Sequence, residues 1–176
     1  MSTPPAGDWA VDGLHSDVAF EVAHNELQQY RASFSEYSAQ LHTDDGGVGI
    51  EGSVAVDSVG IPEGRLRDTV LGEEFLDAAN HPQITFRSSS IDLGADGSLK
   101  LAGTLTLKGK SGEITATGKL TGPVTDMGGN PRIAVQAEAV IDRTQYGLEW
   151  AADLAGGEAV LGNDVKLIAH LELSQG

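Results

Sequence analysis

Apolar and polar residues alternate with a period of two along most of this chain, which is the pattern of strands covered on one face. Val18, Phe20 and Val22 alternate with Ala19, Glu21 and Ala23. Val48, Ile50, Gly52, Val54 and Val56 alternate with Gly49, Glu51, Ser53 and Ala55. The same rhythm runs through Leu99, Leu101, Gly103, Leu105 and Leu107, then Ile114, Ala116, Gly118 and Leu120. It returns in Ile133, Val135, Ala137, Ala139 and Ile141, and last in Val165, Leu167, Ala169, Leu171 and Leu173. Turn chemistry separates the runs: Asp44-Asp45-Gly46-Gly47, Asp96-Gly97, Lys110-Ser111-Gly112 and Gly128-Gly129-Asn130-Pro131 supply residues that tolerate positive φ. Residues 99–108 and 113–121 read as a long hairpin across a loop at 109–112.

One stretch breaks the alternation. Over 63–80, Leu66, Val70, Leu71, Phe75, Leu76 and Ala79 recur at helical spacing. His81-Pro82 ends that segment, because proline neither donates a hydrogen bond nor tolerates a helical residue before it. Ile84 and Phe86 then resume a strand. Many one-sided strands with a single helical insertion fit either a sandwich or a closed barrel. Gly52, Gly103, Ala116, Gly118, Ala137, Ala139 and Ala169 hold inward positions beside Leu, Ile and Val. Small inward residues either let two sheets approach closely or leave room inside a barrel of about eight strands. Alternation alone leaves both open.

Composition narrows the function. The net charge is −15, from 11 basic against 26 acidic residues, so nucleic acid is not expected as a partner, nor is stable insertion into a membrane. There is no cysteine, which removes disulfides, thiolate catalysis and zinc–thiolate sites. Residues 1–8 are polar with two prolines, read as a disordered tail ahead of one domain at 9–174. They lack the basic and apolar regions of a secretory signal, so a cytoplasmic location is expected.

Catalytic signatures are missing. The histidines His15, His24, His42, His81 and His170 form no short metal-binding spacing, and neither a nucleophile elbow nor a phosphate loop occurs. Neither an enzyme activity nor a cofactor or metal is expected. The pairs Arg67-Asp68 and Asp142-Arg143 read first as local caps, with Arg67 or Arg143 meeting an anionic headgroup as the alternative. His15-Ser16, after Asp12-Gly13, reads as a capped turn.

Several ordered motifs resemble the YceI-like, polyisoprenoid-binding proteins over nearly the whole chain. They are Asp12, His15-Ser16, Phe20, Val22 and His24; Arg67-Asp68, Phe75-Leu76-Asp77-Ala78 and His81-Pro82-Gln83-Ile84-Thr85-Phe86; Gly103 to Gly109; Arg143 with Tyr146-Gly147; and Leu161-Gly162-Asn163-Asp164. The resemblance implies an all-β fold, a single eight-stranded antiparallel lipocalin-like β-barrel with a short helical cap. It also implies a long-chain isoprenoid, quinone or other amphiphilic lipid in the interior. The residues expected to line that interior are Phe20, Val22, Phe34, Phe75, Ile84, Phe86, Leu105, Leu148 and Trp150. His24, Arg67 and Arg143 are the headgroup candidates. Two departures bear on the mouth: Ala32 stands where the family carries glycine, and residues 25–29 are unusually polar. The competing readings are an enzyme with His24 or His81 as general base, and a solidly packed barrel with a stress-related role. Barrels also pair through exposed strands or caps, which leaves a homodimer open.

Overall fold

The computed structural model describes residues 4–44 and 47–175. Ten antiparallel strands form one sheet that closes on itself. They are β1 (Gly7–Val11), β2 (Asp17–His24), β3 (Gln28–Phe34), β4 (Tyr37–Asp44), β5 (Gly47–Ala55), β6 (Gln83–Leu93), β7 (Ser98–Leu107), β8 (Lys110–Thr125), β9 (Pro131–Asp142) and β10 (Leu161–Ser174). The barrel nevertheless has eight staves. β1 and β2 lie end to end against β10, with Val11 opposite Leu173 and Ala19 opposite Ile168. β4 and β3 lie end to end against β1 and β2 in turn, with Leu41 opposite Trp9 and Phe34 opposite Val18. The expected eight-stranded barrel is therefore present, with two of its staves broken. β1 begins at Gly7, two residues ahead of the expected domain boundary, and the Trp9 indole N–H donates to the Pro5 carbonyl at 3.3 Å.

The break in the first stave is held by charge. The Asp12 carboxylate accepts from the Leu14 amide at 3.0 Å, pairs with His15 Nδ1 at 3.0 Å and accepts from Arg132 at 2.6 Å. Arg132 also donates to Glu172 and Asp126, and so ties the β1–β2 corner to β9 and β10. Asp126 organises the β8–β9 turn by accepting from the Gly128 and Asn130 amides. The turn expected at 44–47 lies partly outside the described residues. Asp44 and Gly47, which flank it, are paired.

Two local expectations change. The β7–β8 turn is only Lys108-Gly109, with Leu107 paired to Lys110, so Lys110, Ser111 and Gly112 belong to the strand rather than to a loop. Both turn residues have positive φ, 51° and 72°, a geometry whose twist matches that of the flanking strands. Lysine accepts the strained position while its ammonium donates to the Glu73 and Gly147 carbonyls. The helical segment is also shorter than 63–80. Helix α1 covers Arg65–Leu71 and stops at Gly72, after which tight turns run to Asn80. Asp77 at φ 49° and the bond from the Asn80 amide to the Asp77 carbonyl fold that stretch back on itself. No helix among the described residues is long and apolar enough to cross a membrane.

Candidate functional site

The inward faces of the staves do two different jobs. At the end near the chain termini, Trp9, Leu41, Leu99, Leu120, Ile133 and Leu173 are between 0 and 5 % exposed and form a solid plug. Toward the other end the inward residues become small: Ala39, Gly52, Ala116, Ala137, Ala139 and Ala169. The space they leave is a cavity of 670 Å³. It reaches the surface at the capped end, where Leu66 of α1 and His24 of β2 both line it and are exposed. Of the small inward residues, Gly52, Ala116, Ala137, Ala139 and Ala169 line the cavity, whereas Gly103 and Gly118 sit at close contacts between neighbouring strands.

The expected lining residues converge on this space. Phe20 and Val22 of β2 and Phe34 of β3 form one wall, with the two phenylalanine rings 6.0 Å apart. Ile84 and Phe86 of β6 and Leu105 of β7 form another. The ring of Phe86 packs against Gly103, where an added Cβ would sit 2.6 Å from it. Phe75, beyond α1, meets Trp150, on the loop before β10, with ring centroids 5.6 Å apart. Both rings line the cavity, as does Leu148, which packs among Leu105, Leu107 and Ile141. Sequence reasoning missed Val70, Tyr30, Val160 and Leu161, which also line the cavity. Val70 lay in the helical spacing, but that spacing did not show which side would face inward.

The polar candidates separate. Arg143 is 3 % exposed and lines the cavity near its mouth. Its Nε–H donates to the Gly162 carbonyl at 2.8 Å, and its terminal nitrogens donate to the carbonyls of Leu148 and Leu161. Burial pulls its pKa below that of an ordinary guanidinium. The neighbouring Asp142 is engaged elsewhere, accepting from the Thr144 amide and hydroxyl. Arg67 does not reach the cavity. Its guanidinium donates to the carbonyls of Asp57, Val59 and Ile61 and lies 3.5 Å from Glu63, so it clamps the cap to the segment after β5. His24 stands at the mouth with no side-chain partner among the described residues. His81 is not in the lining, and its ring packs on Gly109, 3.8 Å from Asp77.

Among the described residues, Asp12, His15 and Glu172 are close enough together to share a metal ion. Arg132 already donates to both carboxylates, so a cationic side chain fills the position a metal would take.

The model of the YceI-like domain matches residues 9–173. A UPF0312 protein of Staphylococcus epidermidis is 26 % identical over 170 residues, covering 93 % of this chain and 95 % of its own. Among solved structures, BcnA of Burkholderia cenocepacia superposes with a TM-score of 0.77 at 21 % identity, over 92 % of this chain and 98 % of that one. A polyisoprenoid-binding domain from Saccharophagus degradans, implicated in plant cell wall breakdown, superposes with a TM-score of 0.70 at 18 % identity, over 96 % and 98 %.

Proposed function

The chain belongs to the YceI-like family, and from that premise we propose that it binds a long-chain amphiphile inside its barrel and carries it without transforming it. The ligand classes that fit are an isoprenoid quinone, a polyprenyl chain or a fatty-acid-like lipid. The observation that carries this reading is the size of an almost wholly apolar cavity. A core built only for stability would leave no such space, because apolar atoms that face a void or water lose their packing contacts. A chain evolved only to fold would fill it with larger side chains than Ala137 and Ala169. Each methylene of a hydrocarbon tail that enters contributes about 0.8 kcal/mol, enough for a tail to offset the entropy of immobilisation.

The solved Saccharophagus relative, described as a polyisoprenoid-binding domain, supports the same ligand class. Arg143 and His24, both in the cavity lining, are the groups we expect to meet a headgroup. The catalytic alternative is weaker. A general base needs an orienting partner and a reacting atom within reach, and His81 lies outside the cavity while His24 has no side-chain partner among the described residues.

Native mass spectrometry of the protein as purified, followed by organic extraction, tests the reading. A lipid of discrete mass should accompany the folded chain. Replacing Phe86 with arginine, which puts a charge into the wall, should abolish that association. A water-filled interior, or undiminished lipid binding in the Phe86→Arg variant, would overturn the assignment.

A further inference from the structure

Arg143 is a cation that the fold keeps from water and gives no anion. It is 3 % exposed and lines the cavity. A buried charge is costly unless an opposite charge offsets it. Its neighbour Asp142 is taken up by the Thr144 amide and hydroxyl, and among the described residues no carboxylate forms an ion pair with Arg143. Asp164, opposite Asp142 in register, is exposed, and neither aspartate lines the cavity.

Carbonyl groups hold the guanidinium instead. Nε donates to Gly162 at 2.8 Å, one terminal nitrogen donates to Leu148, and the other reaches Leu161 only at 3.5 Å. These acceptors are neutral, so they fix the group in place without cancelling its charge. A guanidinium carries five N–H donors, and three acceptors leave two of them over. The rest of the lining holds no lysine and no other arginine among the described residues. Its other titratable groups are His24, Tyr30 and Glu51. His24 is exposed, so water can solvate it, and the Glu51 carboxylate is exposed beside Arg87 at 3.8 Å.

We infer that the headgroup of the ligand is a carboxylate seated on Arg143, so that the barrel takes long-chain carboxylic acids as their anions. This deepens the carrier reading and rests on it. One buried cation offsets one negative charge, and two N–H groups match the two oxygens of a carboxylate. A phosphate monoester carries about −1.5 to −2 and would bring surplus charge into a lining without a second buried cation. A neutral quinone or alcohol would leave the guanidinium without a counter-charge.

The test separates charge from tail. Protein freed of lipid on a hydrophobic resin is titrated calorimetrically with palmitate, 1-hexadecanol and hexadecyltrimethylammonium. An apolar cavity without a cation prefers the alcohol, because a carboxylate loses its water on entry. Palmitate should bind at least as tightly as the alcohol, and the ammonium at least tenfold more weakly than either. Palmitate labelled with carbon-13 at the carboxyl then reads the contact by NMR. On Arg143 it should stay ionised from about pH 8 to about pH 5, and a gadolinium chelate in the water should not broaden its signal. A carboxyl against apolar walls alone would take up a proton in that range, and one left in the water would be broadened. Either result overturns the inference. Arg143→Met should weaken palmitate at least tenfold and the alcohol less than threefold, and equal effects on the two overturn the assignment to Arg143. If that variant does not fold, the labelled carboxyl in the unmodified protein decides. Uptake of the alcohol with palmitate refused overturns the inference and leaves the carrier reading standing. No uptake of either overturns both.

Discussion

Arg67 and Arg143 each stand beside an aspartate in the sequence, yet their surroundings assign them different work. Arg67 donates from the cap to carbonyls of the segment after β5, whereas Arg143 is 3 % exposed with Gly162, Leu148 and Leu161 as its acceptors. Replacing Arg143 with methionine keeps the bulk but leaves those carbonyls without donors, and an orphaned buried polar group costs about 1–3 kcal/mol. We expect Arg143→Met to lower unfolding free energy by about 2–4 kcal/mol in urea titration. Arg143→Lys should recover less than half, because an ammonium lacks the fork that spans the acceptors. The acidic residues give a pH dependence. The Asn130 amide and then Arg132 hold the Asp126 carboxyl below its usual value, His15 and then Arg132 hold Asp12 well below the carboxylate range, and Thr144 lowers Asp142. A carboxylate with a depressed folded-state pKa stabilises the fold above its unfolded value, here 3.8, and that contribution fades as pH falls toward the folded value. The melting temperature should therefore drop steeply below about pH 4. Asp126→Asn should melt lower at neutral pH and show a shallower acid limb. His15 works in the opposite sense. Asp12 raises its pKa, so its contribution is complete below 6.5 and is lost as pH rises through the folded value.

At the scale of elements, the cap is joined to the barrel at a few points. α1 has no buried residue, and the turns after it rest on Phe75, Leu76 and a bond from Lys108 to the Glu73 carbonyl. Lys108 also reaches the Gly147 carbonyl, so one side chain joins the β7–β8 turn to both segments that border the mouth. Lys108→Asn suits the positive φ of that turn but cannot span to Glu73 or Gly147. The expected outcome is faster amide hydrogen exchange over 72–80 with protection in β7 and β8 unchanged. Equal loosening of cap and strands would show that the lysine supports the hairpin instead. The close approach of β8 to β9 is a different case. A Cβ on Gly118 would lie 1.8 Å from the Gln136 carbonyl oxygen, a contact that no rotamer relieves. Glycine there is a requirement of backbone packing, the close-approach alternative that its inward position in the alternating run had left open beside open space.

For the whole molecule, charge and ligand act on stability separately. A net charge of −15 on one small barrel places many like charges within a Debye length, which is about 10 Å at 0.1 M salt. Raising sodium chloride from about 10 mM to about 300 mM should raise the melting temperature of the lipid-free protein through screening. Binding of an uncharged long-chain alcohol, which rests on apolar burial, should change less than threefold over the same range. A stronger salt effect on binding would mean that the mouth recognises charge.

Much of this architecture was legible in the sequence because it depends on local periodicity. Alternation fixes which side chains of a strand share a face, and glycine-rich punctuation fixes where strands end, so the strands and their inward set could be read from residues such as Phe20, Phe86 and Leu105, while closure into a barrel rested on the family resemblance. The helix was overextended because apolar spacing continues past Gly72, while the chain itself turns there. What alternation could not reveal was which inward residues meet a void and which meet one another. Leu171 and Leu173 belong to the same run and face the same way, yet Leu171 is part of the cavity floor and Leu173 is sealed in the plug. Their heights along the barrel axis depend on the tilt and stagger of all eight staves at closure. That is a property of the whole ring, so only the tertiary structure decides where the core ends and the cavity begins.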